Sequence, residues 1–367
     1  MATSTRSTAA LEVRTIPRTM QAAVYRGRND VRVEEVPVPE ISAGELLIQV
    51  HTCGICGTDL KKIATGSHSA PRIFGHETSG IVAAVGAGVT SFEPGDRVIV
   101  FHHIPCGECF YCRKKVFAQC PVYKKVGASA GFEPSGGGFA EYVRVMDWIV
   151  ERGVVRVPKD VSLEQACFVE PVNTCLKAIE SLGLEADDTV LVIGAGPIGT
   201  ILAWLAGRTG AQVVSSDLFP QRLKIAQGFG VAEIINAGQI NPVERLREST
   251  DGRGADAVIL AVGGNALIRT AIDAARPGGK VMLFAQTVHS DGSFDPAAVC
   301  VDEKALIGSY SASVDLQDES ARLVFSCEAD LEKLISHRFP LSRAVEALNL
   351  AANPQPDSMK IIIQPQG

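Results

Sequence analysis

Four cysteines in the run Cys106-Gly-Glu-Cys109-Phe-Tyr-Cys112, closed by Cys120, constrain this chain more than any other feature. Thiolates separated by two residues turn inward on one metal ion, and CxxCxxC with a fourth thiol is the ligand set of a saturated tetrahedral zinc site. Gly107 eases the tight loop that such wrapping requires. The spacing predicts a structural-zinc lobe over residues 102–122. A disulfide cluster accounts for the run less well, because nothing else in the chain has the character of a secreted protein. An iron–sulfur cluster is disfavoured by the last interval, which departs from the common ferredoxin spacing.

With 367 residues the chain exceeds the usual size of one hydrophobic core, so two domains are expected. A net charge of −6 gives no basic footprint, which argues against nucleic acid and anionic membrane as partners. Ten cysteines, four of them in one metal clip, fit a reducing compartment, and a cytoplasmic location follows. The uncharged run from Thr189 to Gly207 approaches the length of a membrane span. It holds Gly194, Gly196, Pro197 and Gly199, however, and a soluble strand-turn-helix explains it better. Residues 1–18 combine Ser, Thr and Ala with three arginines and one acid, and are expected to be a disordered leader rather than a transit peptide.

Between Asp187 and Ser309, β-branched runs alternate with helical stretches. Strands are predicted at Val190–Ile193, Val213–Ser216, Glu233–Ile235, Ala257–Ala261, Lys280–Phe284 and Ala305–Gly308. This is the pattern of an α/β, doubly wound parallel sheet. Its first turn reads Gly194-Ala-Gly196-Pro197-Ile198-Gly199, after an apolar strand and at the start of the helix Ile198–Ala206. Gly194 permits the turn, Gly196 admits a pyrophosphate, and Gly199 lets helix pack on strand. Asp217 ends the second strand, where a carboxylate accepts hydrogen bonds from a ribose, which favours NAD over NADP. It also suits a helix cap before Pro220. Arg222 and Val262 complete the candidate cofactor-binding set.

A second constellation precedes the clip: Cys53-Gly-Ile-Cys56-Gly-Thr58-Asp59, then Gly75-His76-Glu77. Taken alone, Cys53 and Cys56 form a CxxC pair that suits either metal binding or redox chemistry.

These residues together resemble the zinc-containing medium-chain alcohol and polyol dehydrogenases. The resemblance rests on the Cys56-Gly-Thr-Asp and Gly75-His76-Glu77 motifs, the Pro94-Gly-Asp-Arg-Val turn, the four-cysteine lobe, Glu170-Pro171 and the dinucleotide turn, all in family order. The sorbitol and threonine dehydrogenase branch is the nearest, because Glu170 stands where simple alcohol dehydrogenases place a cysteine ligand. Cys167 and Cys175 lie on either side of it. The resemblance implies a Rossmann domain at 171–330 inserted into a GroES-like, partly open β-barrel catalytic domain of residues 19–170 plus 331–367.

The same resemblance makes Cys56 and His76 catalytic zinc ligands, with Glu77 or Glu170 as the exchangeable carboxylate and Cys53 a packing residue. It gives Asp59 the task of orienting His76. The implied reaction is hydride transfer between a secondary alcohol of a polyol, sugar or cyclitol and NAD, with Thr58 taking the alcohol proton. Two positions depart from the family. Lys61 stands where many members carry a relay histidine, leaving His51, Lys61 or water for that task. Ser309, before Tyr310 and Ser311, stands where sorbitol dehydrogenases place an arginine.

His102 and His103 are not expected to bind metal, since four thiolates already saturate the structural ion. Phe139-Ala-Glu141-Tyr142 opens a strand, Phe139–Val145, near the cleft. The tail is expected to form a helix over Val314–Ser326, a helix Ser342–Ala352 and a strand Met359–Ile363. The strand around Leu306 lies at a sheet edge, which in this family pairs across a twofold axis, so a dimer or tetramer is expected. Two other functions suit the motifs: an amino-alcohol or simple-alcohol dehydrogenase with the same machinery, and a non-catalytic nucleotide-binding protein that keeps only the structural zinc.

Overall fold

The computed structural model describes residues 16–102, 104–126, 136–285 and 294–366. Most of the leader, residues 1–15, and His103 lie outside them. Among the described residues no helix is long and apolar enough to cross a membrane.

Six strands form one all-parallel sheet in the order Glu233–Asn236, Gln212–Asp217, Thr189–Ile193, Ala255–Leu260, Ala275–Leu283, Ala305–Gly308. Numbered along the chain this is 3-2-1-4-5-6, the doubly wound arrangement. Its central strand is buried on both faces. Val190 and Val192 pack into the core shared with the rest of the molecule, while Leu191 and Ile193 pack into a separate core on the other side. That two-sided burial is why the strand is a continuous apolar run rather than an alternating one. The strand order reverses beside Thr189–Ile193, the point at which sheets of this kind bind their ligands at the carboxyl ends of the strands.

The remaining strands build a second body. Leu46–Gly54 lies at its centre, antiparallel to Glu77–Val85, Tyr142–Val145 and Lys360–Gln364. Ile335–Pro340 runs parallel to Lys360–Gln364, so both ends of the chain share one sheet. A smaller sheet of Asp30–Pro37, Thr19–Gly27 and Arg72–Ile73 covers one side. The expected division at 170/171 falls inside the helix Val169–Leu182, which runs from one body into the other.

Four elements differ from expectation, the first being the strand expected at Lys280–Phe284, which begins already at Ala275 and ends at Leu283. Val314–Leu316 is a separate 3-10 turn before the helix Gln317–Phe325, because Val314 leans onto the cysteine lobe rather than continuing the helix. Ser342–Ala352 likewise splits into a 3-10 turn, Leu341–Arg343, and a helix, Ala344–Ala352. The strand expected from Phe139 begins only at Tyr142, with Ala140 held by a single bridge to Ala22.

Candidate metal and cofactor sites

The four-cysteine lobe is assembled almost entirely from local chain. A zinc–sulfur distance of ~2.3 Å at tetrahedral angles requires sulfurs about 3.8 Å apart. The structure places Cys109 Sγ 3.5 Å from Cys112 Sγ, and Cys106 Sγ 3.9 Å from Cys112 and 3.7 Å from Cys120. Gly107 takes φ +83° in the wrapping loop, the left-handed conformation that favours glycine. The backbone N–H of Cys106 donates to Cys120 Sγ at 3.4 Å. Burial pushes the Cys112 thiol up to about 12, through its own desolvation and its hydrogen bond with Cys109. Burial also acts against the Cys120 thiolate, but the amides of Cys106, Tyr123 and Val122 outweigh it and bring that group down to about 6. All ten cysteines are free thiols, so the lobe is not a disulfide cluster.

The second set gathers side chains from separate strands and turns. Ligand atoms of Cys56, His76 and Glu77 lie within 4.8 Å of one another. Cys56 caps the helix Gly57–Thr65, where its sulfur accepts the Thr58 N–H at 3.5 Å. Asp59, fully buried, completes that cap and ties two ligands together. One of its oxygens accepts the Cys56 N–H at 3.2 Å, and the other sits 3.2 Å from His76 Nδ1. That contact commits Nδ1 to Asp59 and leaves Nε2 as the ligand atom. Burial works against a charged His76, yet Asp59 and Cys56 overcome it and hold the imidazole well above its ordinary range.

Glu77 forms an ion pair with Lys360, whose ammonium also donates to the Ile55 carbonyl at 3.0 Å. Glu170 stands outside the close set. Thr174 Oγ1 donates to it at 3.4 Å, and burial, reinforced by Glu77, pushes its carboxyl up to about 7 against the opposing charges of His76 and Lys360. Cys167 and Cys175 are likewise outside. They are buried thiols whose protons are held by desolvation, donating to the Glu164 and Ile198 carbonyls. Cys53 is wholly buried beside Thr78, and burial raises its thiol, so it does not form a redox couple with Cys56.

The dinucleotide turn has the geometry its glycines require. Gly194 adopts φ +102°, and a Cβ on Gly199 would fall 1.8 Å from the Gly194 carbonyl oxygen. A Cβ on Gly196 would meet nothing within 4 Å, so space for a pyrophosphate lies open in front of it. Pro197 opens the helix Pro197–Gly207, with Ile198 and Gly199 in its first turn. Val262, 40% exposed, stands across the turn with its Cβ 3.1 Å from that position on Gly194. Asp217 accepts the Ala195 N–H at 2.7 Å and the Phe219 N–H at 2.9 Å, which joins the dinucleotide turn to the second strand and closes the turn after it, while the helix Pro220–Gln227 itself has no side-chain cap. Arg222 stacks 4.8 Å over the Phe219 ring and donates to the Gln355 carbonyl of the tail.

Of the relay candidates, His51 bonds Thr52 Oγ1 at 2.8 Å, and burial holds its imidazole below the ordinary range, with Glu164 opposing. Lys61 is half-buried on the helix after Thr58. Ser309 is 7% exposed, and its hydroxyl has no hydrogen-bond partner among the described residues. Tyr310 is half-exposed, and the Ser311 hydroxyl bonds Tyr123 of the cysteine lobe. Glu141 accepts the Gln21 N–H at 2.7 Å, a structural task.

Three residues at the site escape sequence reasoning. His102 is buried beside His76 and held down to about 4 by burial and by that neighbour's charge. Lys360 lies 305 positions from the Ile55 carbonyl it binds, and no local pattern signals it. Lys62 sits four residues beyond Thr58 on one helix, a spacing that places both on one face, so helical periodicity was signal enough.

Comparison with known proteins agrees with this geometry. The alcohol dehydrogenase GroES-like domain family matches residues 42–159, and the zinc-binding dehydrogenase family matches residues 197–326. Sorbitol dehydrogenase of Bacillus subtilis (strain 168) is 28% identical over 357 residues, covering 96% of this chain and 99% of that protein. Galactitol 1-phosphate 5-dehydrogenase of Escherichia coli (strain K12) is 30% identical over 355 residues, covering 94% and 100%. The crystal structure of a zinc-binding dehydrogenase from Sinorhizobium meliloti 1021, bound to NADP, superposes with a TM-score of 0.85 at 26% identity, covering 95% of this chain and 99% of that one. Likeness that runs from end to end, at 30% identity to one relative, settles the lineage: the chain belongs to the zinc-containing medium-chain alcohol and polyol dehydrogenases.

Proposed function

We propose that the chain oxidises a secondary alcohol group on a polyol, sugar or cyclitol with NAD, and reduces the matching ketone in reverse. The observation that carries this reading is Asp59, whose two oxygens hold the Cys56 amide and His76 Nδ1 and so fix two ligands of an open cation site. Three protein ligands of thiolate, imidazole and carboxylate type are the donor set of a catalytic zinc with room for substrate. Cys106, Cys109, Cys112 and Cys120 hold the structural zinc. When bound, the catalytic zinc supplies Lewis acidity toward an alcohol oxygen and NAD supplies the hydride acceptor.

The chain's own residues do the rest. Asp59 orients His76, and Lys360 balances Glu77 so that the carboxylate can approach or leave the cation, with Glu170 as the second carboxylate at the same centre. Thr58, half-buried in the first turn of its helix, takes the proton from the alcohol hydroxyl and passes it toward solvent. Gly194, Gly196, Pro197, Ile198, Gly199 and Val262 cradle the dinucleotide, and Asp217 receives the ribose hydroxyls. A carboxylate there repels a ribose phosphate, and Arg222 is turned to Gln355, so NAD is preferred over NADP. We assign residues 19–170 and 331–367 to the catalytic unit and 171–330 to the cofactor unit. The exposed sheet edge at Ala305–Gly308 pairs two copies in a homodimer or homotetramer, and free thiols throughout fit the cytoplasm.

Nicotinamide reduction measured at 340 nm across polyols, cyclitols, sugars, amino alcohols and plain alcohols, with NAD and with NADP, tests the reading. Chelator-sensitive reduction of NAD by a polyol or related alcohol is expected. Preference for an amino alcohol or a plain alcohol would move the substrate class, and silence with zinc and NAD bound would defeat the reading.

A further inference from the structure

We propose that Asn173 is a positioning residue for the hydride transfer: its amide pins the segment Ser309–Ser313, beyond the last parallel strand, to the helix Val169–Leu182, and so holds the nicotinamide end of the cofactor in line with the alcohol. The proposal rests on the dehydrogenase reading above and adds to it a residue that acts through another part of the chain.

Sheet register places the segment. Ile193, Leu260, Leu283 and Gly308 stand side by side on neighbouring strands. Ile193 leads into the dinucleotide turn, so Gly308 lies three strand spacings, about 14 Å, from it along the carboxyl edge of the sheet. Asp217 ends the strand on the opposite side of Ile193. A dinucleotide laid across that edge with its adenosine ribose at Asp217 carries its nicotinamide over the strands that end at Leu260, Leu283 and Gly308.

Asn173, wholly buried, grips Ser313 twice: its side-chain nitrogen donates to the Ser313 carbonyl at 3.0 Å and its oxygen accepts the Ser313 N–H at 2.8 Å. One turn along the same helix, Lys177 Nζ donates to the Tyr310 carbonyl at 2.8 Å and lies 3.4 Å from the Ser311 carbonyl. Tyr123 of the cysteine lobe bonds the Ser311 hydroxyl. Among these grips Ser311 takes φ +61°, a left-handed conformation that is costly for a residue with a side chain. Such strain persists only where the surrounding bonds over-determine it, and it concentrates at ligand clamps. Ser309 opens the segment 7% exposed, with a hydroxyl that bonds no other described residue, a group that a bound ligand would satisfy.

The helix that carries Asn173 also meets the other reactant. It holds Glu170 in its first turn and packs against the strand Glu77–Val85, whose first residue belongs to the gathered ligand set. One side chain therefore joins the chain beside the nicotinamide to the helix beside the cation site. Hydride transfer needs its reacting atoms about 3–3.5 Å apart, and a misplacement of about 1 Å costs on the order of 10²-fold in rate.

The test measures kcat, KM for NAD and KM for the best alcohol, with hydrogen or deuterium on its carbinol carbon, in wild type, Asn173→Ala, Lys177→Met and Gln165→Ala. Gln165 is the control, a buried amide that likewise bridges backbone groups, those of Val324, Ala329 and Leu331. Asn173→Ala should lower kcat by about 10²-fold, with KM for NAD and zinc content little changed and a full primary isotope effect on kcat, since hydride transfer is then the slowest step. Fluorescence of bound NADH supplies a readout apart from turnover: the nicotinamide should show lower anisotropy in Asn173→Ala than in wild type. Lys177→Met, the milder change, should move kcat and anisotropy the same way by a smaller factor, and it carries the test if Asn173→Ala does not fold. Gln165→Ala should lower the unfolding midpoint and leave kcat and anisotropy near their wild-type values. Equal falls in kcat for Asn173→Ala and Gln165→Ala, wild-type kcat or anisotropy in both Asn173→Ala and Lys177→Met, or a fall in kcat without an isotope effect would overturn the proposal, while turnover by wild type keeps the dehydrogenase reading. No turnover by wild type with any alcohol would strike that reading and the proposal with it.

Discussion

The two metal centres follow opposite designs. In the cysteine lobe every ligand comes from residues 106–120, the sulfurs sit at tetrahedral spacing, and the set is saturated. In the proposed catalytic centre the candidate ligands come from a helix cap and a strand start, three gather among the described residues, and their support comes from Asp59 nearby and Lys360 near the far end of the chain. A closed site stabilises local chain and asks little of the fold around it. An open site must be held by the whole fold, because the position left for substrate removes one ligand that would otherwise restrain the geometry. The lobe is nevertheless tied to the chain that follows the last parallel strand, since Tyr123 of the lobe bonds Ser311 and Val314 packs against the cysteines.

The sharpest way to break that comparison is to remove one ligand from each centre. His76→Ala should lower turnover by about 10³-fold or more, the several kcal/mol that a catalytic cation contributes, and should cost some stability by stranding buried Asp59, but should leave the zinc of the cysteine lobe bound. Cys112→Ser should do the reverse in kind, releasing one zinc ion in native mass spectrometry and lowering the midpoint of thermal unfolding. If His76→Ala leaves turnover unchanged, or Cys112→Ser leaves both zinc content and stability unchanged, the division into a catalytic and a structural centre fails.

Lys360 tests whether the open centre depends on distant chain. Burial works against its ammonium, and Glu77 and Cys56 outweigh that cost and raise its pKa. Lys360→Met would strand the Glu77 carboxylate, 1% exposed, without a counter-charge. The expected loss in urea unfolding is about 3–5 kcal/mol for chelated protein, because one member of a buried pair is removed. Zinc-loaded protein should lose less, since a cation then offsets Glu77. Equal losses in both states would show that Lys360 acts on the sheet and not on the metal centre.

The same contrast explains what the sequence revealed. The lobe was legible because its ligands, their spacing and Gly107 are all local. The six parallel strands were legible because two-sided burial writes itself as apolar runs such as Thr189–Ile193. The catalytic ligands became readable only through the family likeness, since neither Cys56 nor His76 is distinctive alone. Lys360 was invisible, because a pairing across the sheet between the two chain ends leaves no periodicity. The break at Leu316 was hidden too, because it arises from the tertiary packing of Val314 on the lobe.

A charge pair remote from both metals supplies the control, with the smallest expected effect. Glu45, 3% exposed, accepts Arg144 Nε at 2.7 Å and its terminal nitrogen at 2.8 Å, and takes the Ser42 N–H at 2.6 Å. Burial opposes its charge, but Arg144 and that amide prevail, so its carboxyl titrates below the ordinary 4.5. As pH falls, the unfolded chain takes up this proton before the folded one does. The pair's contribution is therefore complete above about 4.5 and disappears as pH falls through the lower folded value. Glu45→Gln should cost about 1–3 kcal/mol at neutral pH and flatten the acid limb of the stability curve. The loss should be the same with and without chelator. A chelator-dependent loss at Glu45 would mean that metal binding stiffens the whole catalytic sheet, and the contrast between a local centre and a fold-wide one would then need a third, intermediate class.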